Sequence, residues 1–168
     1  ADITAEMKAV ANCFDAEVLR EVPEAEFRAS IPYLRQVCGD RAVLRAMHFY
    51  EDDRRAVQEA QALKRGDFQA CLDLVNASGL SSSLHLQNTW SPVSPRQQAI
   101  PLALALGREL LGNSGAIRVH GGGFAGTIQA FVPFEMLDAF KSGMESVLGE
   151  NKCHVLRIRP QGGWVVVA

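Results

Sequence analysis

Long hydrophobic runs are missing from this chain: its longest, Ala99 to Gly107, falls far short of the roughly 20 residues that cross a bilayer. The N-terminus has no basic-then-apolar pattern either, so neither a membrane span nor a secretory leader is expected. Charge of one sign is equally scarce. Seventeen Lys and Arg face 19 Asp and Glu, for a net charge of −2, and no basic run concentrates positive potential. That balance argues against a nucleic-acid or anionic-membrane partner and leaves small molecules or protein. The four cysteines, Cys13, Cys38, Cys71 and Cys153, contain no C-x-x-C, which excludes the usual zinc and redox motifs. They read as core-filling thiols suited to a reduced, cytoplasmic setting. His48, His85, His120 and His154 lack metal-ligand spacing, so no metal site is expected. No repeat or low-complexity segment is present.

What the chain does have is apolar content. With 168 residues, 48% of them hydrophobic, it is long enough to bury a substantial core, most simply as one domain over residues 1–168. Its first residues, with no initiator Met before them, suggest a piece of a longer protein. Up to about Ala77 the pattern is helical. Ile3, Met7, Val10, Phe14 and Val18 recur at spacings of three and four. Pro23 and Pro32 are expected to break the following stretch. A long helix from about Asp40 to Arg65 comes next, with Val43, Leu44, Met47, Tyr50, Val57 and Leu63 on its apolar side and Gly66 as its stop. Arg41, Arg45, His48, Glu51, Arg54 and Arg55 are expected on its solvated surface, some in i,i+4 pairs.

Asp67 is placed to cap a helix carrying Phe68, Cys71, Leu74 and Val75, ended by Ser78-Gly79. A polar connection from Ser81 to Pro95 leads to a helix through Leu110, with Ser94-Pro95 at its start and Pro101 kinking or delaying it. Strands are expected at Ala116–Val119, Thr127–Val132, Cys153–Arg159 and Trp164–Val167, with a helix from Pro133 to Gly149 between the second and third. This order predicts a two-layer α+β domain in which helices cover an antiparallel sheet.

Between the first two strands lies His120-Gly121-Gly122-Gly123-Phe124-Ala125-Gly126. Such glycines can adopt positive φ and bring backbone N–H groups close to a phosphate, and they can equally form a tight hairpin. Gly121 to Gly126 fits G-x-G-x-x-G in letters, but the dinucleotide fingerprint needs a helix directly after the loop, and here a strand follows. The spacing also approximates a protein-kinase glycine loop, without the V-A-I-K, H-R-D or D-F-G runs that accompany one. His120 abuts these glycines as a strand-end histidine or a general base.

The block Gly115 to Thr127 resembles the C-terminal signature of the superfamily that unites galactokinase, homoserine kinase, mevalonate kinase and phosphomevalonate kinase. That signature reads roughly G-A-G-F-G-G. Ala77 to Ser83, Leu86-Gln87-Asn88, the glycine block and the helix bearing Arg45, His48, Glu51 and Arg54 resemble, as a set, its bacterial galactokinase branch. The resemblance implies a ferredoxin-like two-layer C-terminal domain. It further implies transfer of the γ-phosphate of ATP, with Mg²⁺, to the anomeric hydroxyl of galactose.

By position, Gly121, Gly122, Gly123, Phe124, Ala125 and Gly126 inherit the role of shaping the nucleotide site. Gly122 stands where the family has Ala, and Ala125 where it has Gly. The family's sugar motif, phosphate-binding serine loop and catalytic Asp with its Arg lie in an N-terminal half that this chain does not match. The expectation is therefore a chain with no catalytic residue of its own, inactive without that N-terminal partner domain. Ser81, Ser82 and Ser83 look like the serine loop but lack its preceding proline pattern and following alanine, leaving a phosphate site or a structural turn. Two other readings are a non-catalytic α+β ligand-binding or regulatory module, and an assembly domain pairing through Trp164–Val167.

Overall fold

A computed structural model describes residues 2–123 and 126–158. Within them the chain is α+β, with six α-helices and one two-stranded antiparallel sheet. Helix α1 (Asp2–Asn12) stops before Phe14 and Val18, which the apolar spacing had placed on it. Asp15 turns left-handed at φ 56°, and the chain folds back so that Leu19 and Val22 close over the core. The Tyr50 hydroxyl lies 3.1 and 3.0 Å from the carbonyl oxygens of these two residues, within donating distance of either.

Helix α2 (Glu24–Val37) begins after Pro23 but runs straight through Pro32, contrary to the expected break. Pro32 is exposed, while Phe27 and Leu34, seven residues apart on the opposite face, are fully buried. The packing of that face outweighs the hydrogen bond a proline removes. Gly39, at φ 85°, then reverses the chain into α3 (Asp40–Lys64), whose bounds match the expected helix. Ala42, Val43, Ala46 and Tyr50 complete the helical core, and the Phe27 and Tyr50 ring centroids are 5.0 Å apart. Val57 and Leu63, expected inward, are about half exposed.

Asp67 caps α4 (Phe68–Ser81) by accepting from the Ala70 N–H at 3.1 Å. The helix does not end at Ser78-Gly79. It continues to Ser81 and widens into a π turn over Ser82–Leu86, closed by left-handed Gln87. Gly79 serves close packing instead: a Cβ there would lie 2.9 Å from the Arg118 Cβ and 3.1 Å from the Ile117 carbonyl. Helix α5 (Ala99–Leu111) starts later than Ser94, with Pro101 in its first turn. The Gln98 side chain ties the preceding loop by bonds to Ser91 and Ser94.

Strands β1 (Ala116–Val119) and β2 (Ile128–Phe131) pair with Ala116 opposite Phe131 and Val119 opposite Ile128. A short 3₁₀ turn, Phe134–Met136, leads into α6 (Leu137–Leu148), which stops at Gly149 as expected. Ala103, Leu111, Ile117, Phe140 and Met144 form a second core.

The expected four-stranded sheet is not found among the described residues. Cys153–Ile158 forms no strand, and Leu156 and Ile158 are each 86% exposed. Arg159 and the expected strand Trp164–Val167 lie outside the described residues. The outer edge of β1 is closed to a further strand, because the Asn76 carboxamide oxygen accepts the Ile117 N–H at 3.0 Å and α4 packs on it through Gly79. The fold class is thus α+β, with, among the described residues, a single strand pair carrying α4 and α5 on β1. Cys13, Cys38 and Cys153 pack against the two cores, at their edges rather than within them. All four are partly exposed, and Cys13 and Cys38 meet at 3.6 Å on the rim of the helical core.

Candidate functional site

The glycine block is the turn of the β1–β2 hairpin. The ladder extends one step beyond the strands through the His120 N–H, which donates to the Thr127 carbonyl at 3.0 Å. Inside the turn, Gly123 N–H donates to the His120 carbonyl at 3.4 Å and Gly126 N–H to the Gly123 carbonyl at 3.0 Å. Gly121, Gly123 and Gly126 have φ of 58°, 82° and 82°, a region side chains rarely enter. Gly121 and Gly122 are exposed, and among the described residues their N–H groups have no backbone partner. Phe124 and Ala125, the other two residues assigned to this loop, lie outside the described residues.

Gly123 differs from its neighbours in being buried. A Cβ on it would sit 2.1 Å from the Asn88 carbonyl oxygen and 3.0 Å from the Asn88 side-chain Cγ. The loop therefore rests on Asn88, and Asn88 rests on the π turn, where its N–H approaches the Ser82 carbonyl at 3.5 Å. Asn88 is 1% exposed and Ser82 is 0% exposed. Neither the Asn88 Oδ1 nor the Ser82 Oγ finds a hydrogen-bond partner among the described residues.

Of the other serines flagged in the sequence, Ser81 is buried and Ser83 donates to the Gly79 carbonyl at 3.2 Å. All three stand at the C-terminal end of α4, where the helix dipole presents its negative pole.

Behind this platform, a polar seam joins α3, α4 and β1. Its residues are His48, Glu51, Asp52 and Arg55 on one stripe of α3, Ser78, Ser81 and His85 on the facing stripe, and Arg118 from β1. The Ser78 hydroxyl donates to Asp52 at 2.6 Å. Arg55 pairs with both Glu51 and Asp52 at 3.1 Å, and Arg118 lies 3.9 Å from Asp52. The Ser81 Oγ lies 2.9 Å from the His48 Nδ1 and 3.2 Å from the His85 Nδ1.

Burial alone would raise the Asp52 and Glu51 pKa values. For Asp52 the Ser78 hydroxyl and the His48, Arg55 and Arg118 charges reverse the sign, and for Glu51 Arg55, His85 and Ser81 do so. Both carboxyls sit below the ordinary range. Burial, helped by the nearby Arg55 and Arg118 charges against an opposing Asp52, pushes the His48 ring down, so it is neutral near pH 7.

Ser81, His48 and Asp52 resemble a hydrolytic triad in order of contact. With Ser81 3% exposed, no substrate carbonyl reaches its oxygen, and the His48–Asp52 separation of 3.6 Å exceeds a hydrogen bond. The group is structural. Arg45, expected at the surface, is also buried, bonded to the Leu86 carbonyl at 3.1 Å and to Glu6 at 2.8 Å, so it locks the π turn to α1.

The seam and Asn88 were the parts missed in sequence. A signal existed, because positions 48, 51, 52 and 55 and positions 78, 81 and 85 each repeat at helical spacing, as an apolar stripe would. His120 is exposed at the end of β1, consistent with the strand-end reading. Among the described residues no group of three or more His, Cys, Asp or Glu side chains is arranged to hold a metal ion, and no helix is long and apolar enough to cross a membrane.

No protein-family model matches the chain. Curated proteins do. A galactokinase of Actinobacillus succinogenes is 28% identical over 141 residues, covering 84% of this chain and 34% of that protein. A galactokinase of Mannheimia succiniciproducens is 28% identical over 131 residues, covering 78% of this chain and 32% of that protein. The chain spans about a third of the length of the curated relatives it matches. The galactokinase resemblance read from the glycine block therefore extends along most of the chain, and over a limited part of those relatives.

Proposed function

We propose that this chain, similar to galactokinases over about four fifths of its length, is the C-terminal, nucleotide-facing part of a galactokinase-like sugar kinase with a ferredoxin-like GHMP fold. The observation that carries the reading is the glycine hairpin inside that similarity. Its exposed Gly121 and Gly122 amides, free of backbone partners among the described residues, suit an anionic oxygen. The substrates of the whole enzyme are then Mg-ATP and galactose, and the γ-phosphate passes to the anomeric hydroxyl. In this reading the Mg²⁺ ligands, the sugar contacts and the catalytic carboxylate belong to the part of the relatives this chain does not span. Its partner is that N-terminal domain.

The residues fit phosphate by their donor set. Gly121 and Gly122 supply oriented N–H groups, Gly123 anchors the turn, and Gly126, with Phe124 and Ala125 between, completes it. Ser81, Ser82 and Ser83 act as structure under the loop rather than as a phosphate site, since they occupy the negative end of α4. The chain alone transfers no phosphate.

The reading is tested by amide-resolved NMR titration of this 168-residue chain with Mg-ATP, with NADH as the control, together with a coupled assay for galactose-dependent ATP consumption. Shifts confined to Gly121–Gly126 with Mg-ATP, and no turnover, are expected. Turnover by the isolated chain would end the claim of inactivity. A response to NADH alone would replace the kinase reading with a dinucleotide one, and silence with both would mean either that nucleotide binding needs the N-terminal domain or that the fold serves only as a scaffold.

A further inference from the structure

Cys13 and Cys38 stand 25 positions apart in sequence, and their sulfurs meet at 3.6 Å. Each thiol sits at a helix end. Cys13 lies in the turn that follows α1, and Cys38 caps the C-terminus of α2. The chain reverses just beyond both, at Asp15 with φ 56° and at Gly39 with φ 85°. Both side chains pack on the rim of the helical core and remain partly exposed, so a small reagent reaches them. Their hydrogen bonds are weak ones, because both sulfurs approach the same acceptor, the Ala9 carbonyl, at 3.4 and 3.7 Å. Cys71 in α4 and Cys153 beyond α6 stand on other elements.

We propose that Cys13 and Cys38 form a dithiol oxidation site, which a low-molecular-weight disulfide such as oxidised glutathione closes to a Cys13–Cys38 bond tying α1 to α2. The sulfurs must approach from 3.6 Å to about 2.05 Å, a shift of about 1.5 Å within reach of side-chain rotation at two helix ends. The exchange balances in two steps. Cys13 loses its proton and its thiolate attacks the small disulfide; a Cys13–glutathione bond forms, the reagent's S–S bond breaks, and one glutathione leaves and takes up a proton. Cys38, deprotonated in turn, attacks the Cys13 sulfur and expels the second glutathione. Two protein thiols are oxidised, and one small disulfide is reduced to two thiols. The surroundings set that order. Burial above all, then the hydrogen bond and charge of the Cys13 sulfur, push the Cys38 thiol up to about 11, so Cys38 is a poor first nucleophile. Capping Cys13 removes the latter two causes and readies Cys38 for the second step. The closed loop runs through Leu19, Val22, Phe27 and Leu34, and closing it removes freedom from the unfolded chain. The site uses no residue of the glycine hairpin and does not rest on the kinase reading.

The experiment treats the folded 168-residue chain with oxidised glutathione, without denaturant, and follows it by intact mass, peptide mapping and thermal unfolding. The expected product is lighter by two hydrogens, yields a Cys13–Cys38 cross-linked peptide and reverts with dithiothreitol. Its melting midpoint is expected to lie about 5 °C or more above that of the reduced chain. In Cys38→Ser and Cys13→Ser the remaining thiol of the pair keeps one glutathione and no internal bond forms, with Cys38 reacting more slowly than Cys13. The parent measurement stands without either variant. Glutathione left on Cys13 or Cys38 of the parent, with no internal bond, overturns the inference. So does a Cys13–Cys38 link that forms only in urea, or a linked product that melts below the reduced chain. Faster reaction at Cys38 than at Cys13 overturns the order of attack.

Discussion

The two cores of this chain are unequal. Among the described residues, the helical one, built from α1 to α3, holds ten buried apolar residues, and the one between α5, the hairpin and α6 holds five. The first is joined by aromatic packing of Phe27, Phe49 and Tyr50. In the second half Phe134 is 94% exposed and Leu156 and Ile158 are each 86% exposed, so among the described residues apolar surface is spent less completely on that core. The glycine hairpin sits on this lighter half. Polar bonds fix the strand there: Asn76 holds β1 to α4, and the Asp52–Arg118 pair at 3.9 Å links it to α3, while the turn rests on Asn88 by close packing. The strand that carries the loop is positioned by directional contacts, which specify a geometry, on a scaffold stabilised elsewhere by area, which does not.

The largest break of that contrast is Phe27→Ala. Emptying a fully buried ring site should lower stability by about 3–5 kcal/mol and melt helical and hairpin probes together, measured by thermal and urea unfolding. Asp52→Ala should cost about 1–3 kcal/mol by leaving Ser78 without its acceptor and Arg55 with Glu51 alone, and should shift β1 amides more than those of α1. Gly123→Ala, strained by its φ and by the Asn88 carbonyl, should cost about 1–3 kcal/mol while its chemical-shift changes stay in the hairpin and at Asn88. Asp67→Ala should cost about 1 kcal/mol and fray only the first turn of α4, visible as faster amide exchange at Ala70.

Acid sharpens the same comparison through the seam. His48, Asp52 and Glu51 all have folded pKa values below their unfolded ones, so the unfolded chain binds more protons and stability rises with pH. The His48 contribution is complete above its unfolded pKa of about 6.5, and the carboxylate contributions above about 4. Each is lost as pH falls through the folded value. Unfolding midpoints measured from pH 7.5 to pH 4 should therefore fall, and His48→Gln should flatten the upper part of that slope. An unchanged slope in the variant would remove His48 from the account.

Much of this was legible in the sequence. The bounds of α3, the Asp67 cap, the delay of α5 at Pro101 and the stop of α6 at Gly149 all follow from local rules of capping and backbone freedom. Other features were not. Pro32 stayed inside a helix because the buried face of Phe27 and Leu34 outweighed one lost bond. Gly79, which looked like a terminator, is small because β1 crosses it. Cys153–Ile158 had the composition of a strand, yet it pairs with neither β1, whose edge Asn76 and α4 occupy, nor β2. Arg45 and His48 looked like solvated surface because their burial depends on α1 and α4 meeting α3, and no local window contains that meeting.

By itself, then, the sequence determined the bounds of α3, the start of α4 and the stop of α6, the α+β class, the glycine turn between two strands and the galactokinase resemblance, because capping, periodicity and glycine freedom act over a few residues. Only the tertiary structure decided that the turn stands on Asn88 and Ser82, and that a charged stripe of α3 faces inward. Those placements depend on pairs more than 25 residues apart, such as Asp52 with Ser78 and Arg45 with Leu86. Burial of such groups is favourable only when both partners arrive together.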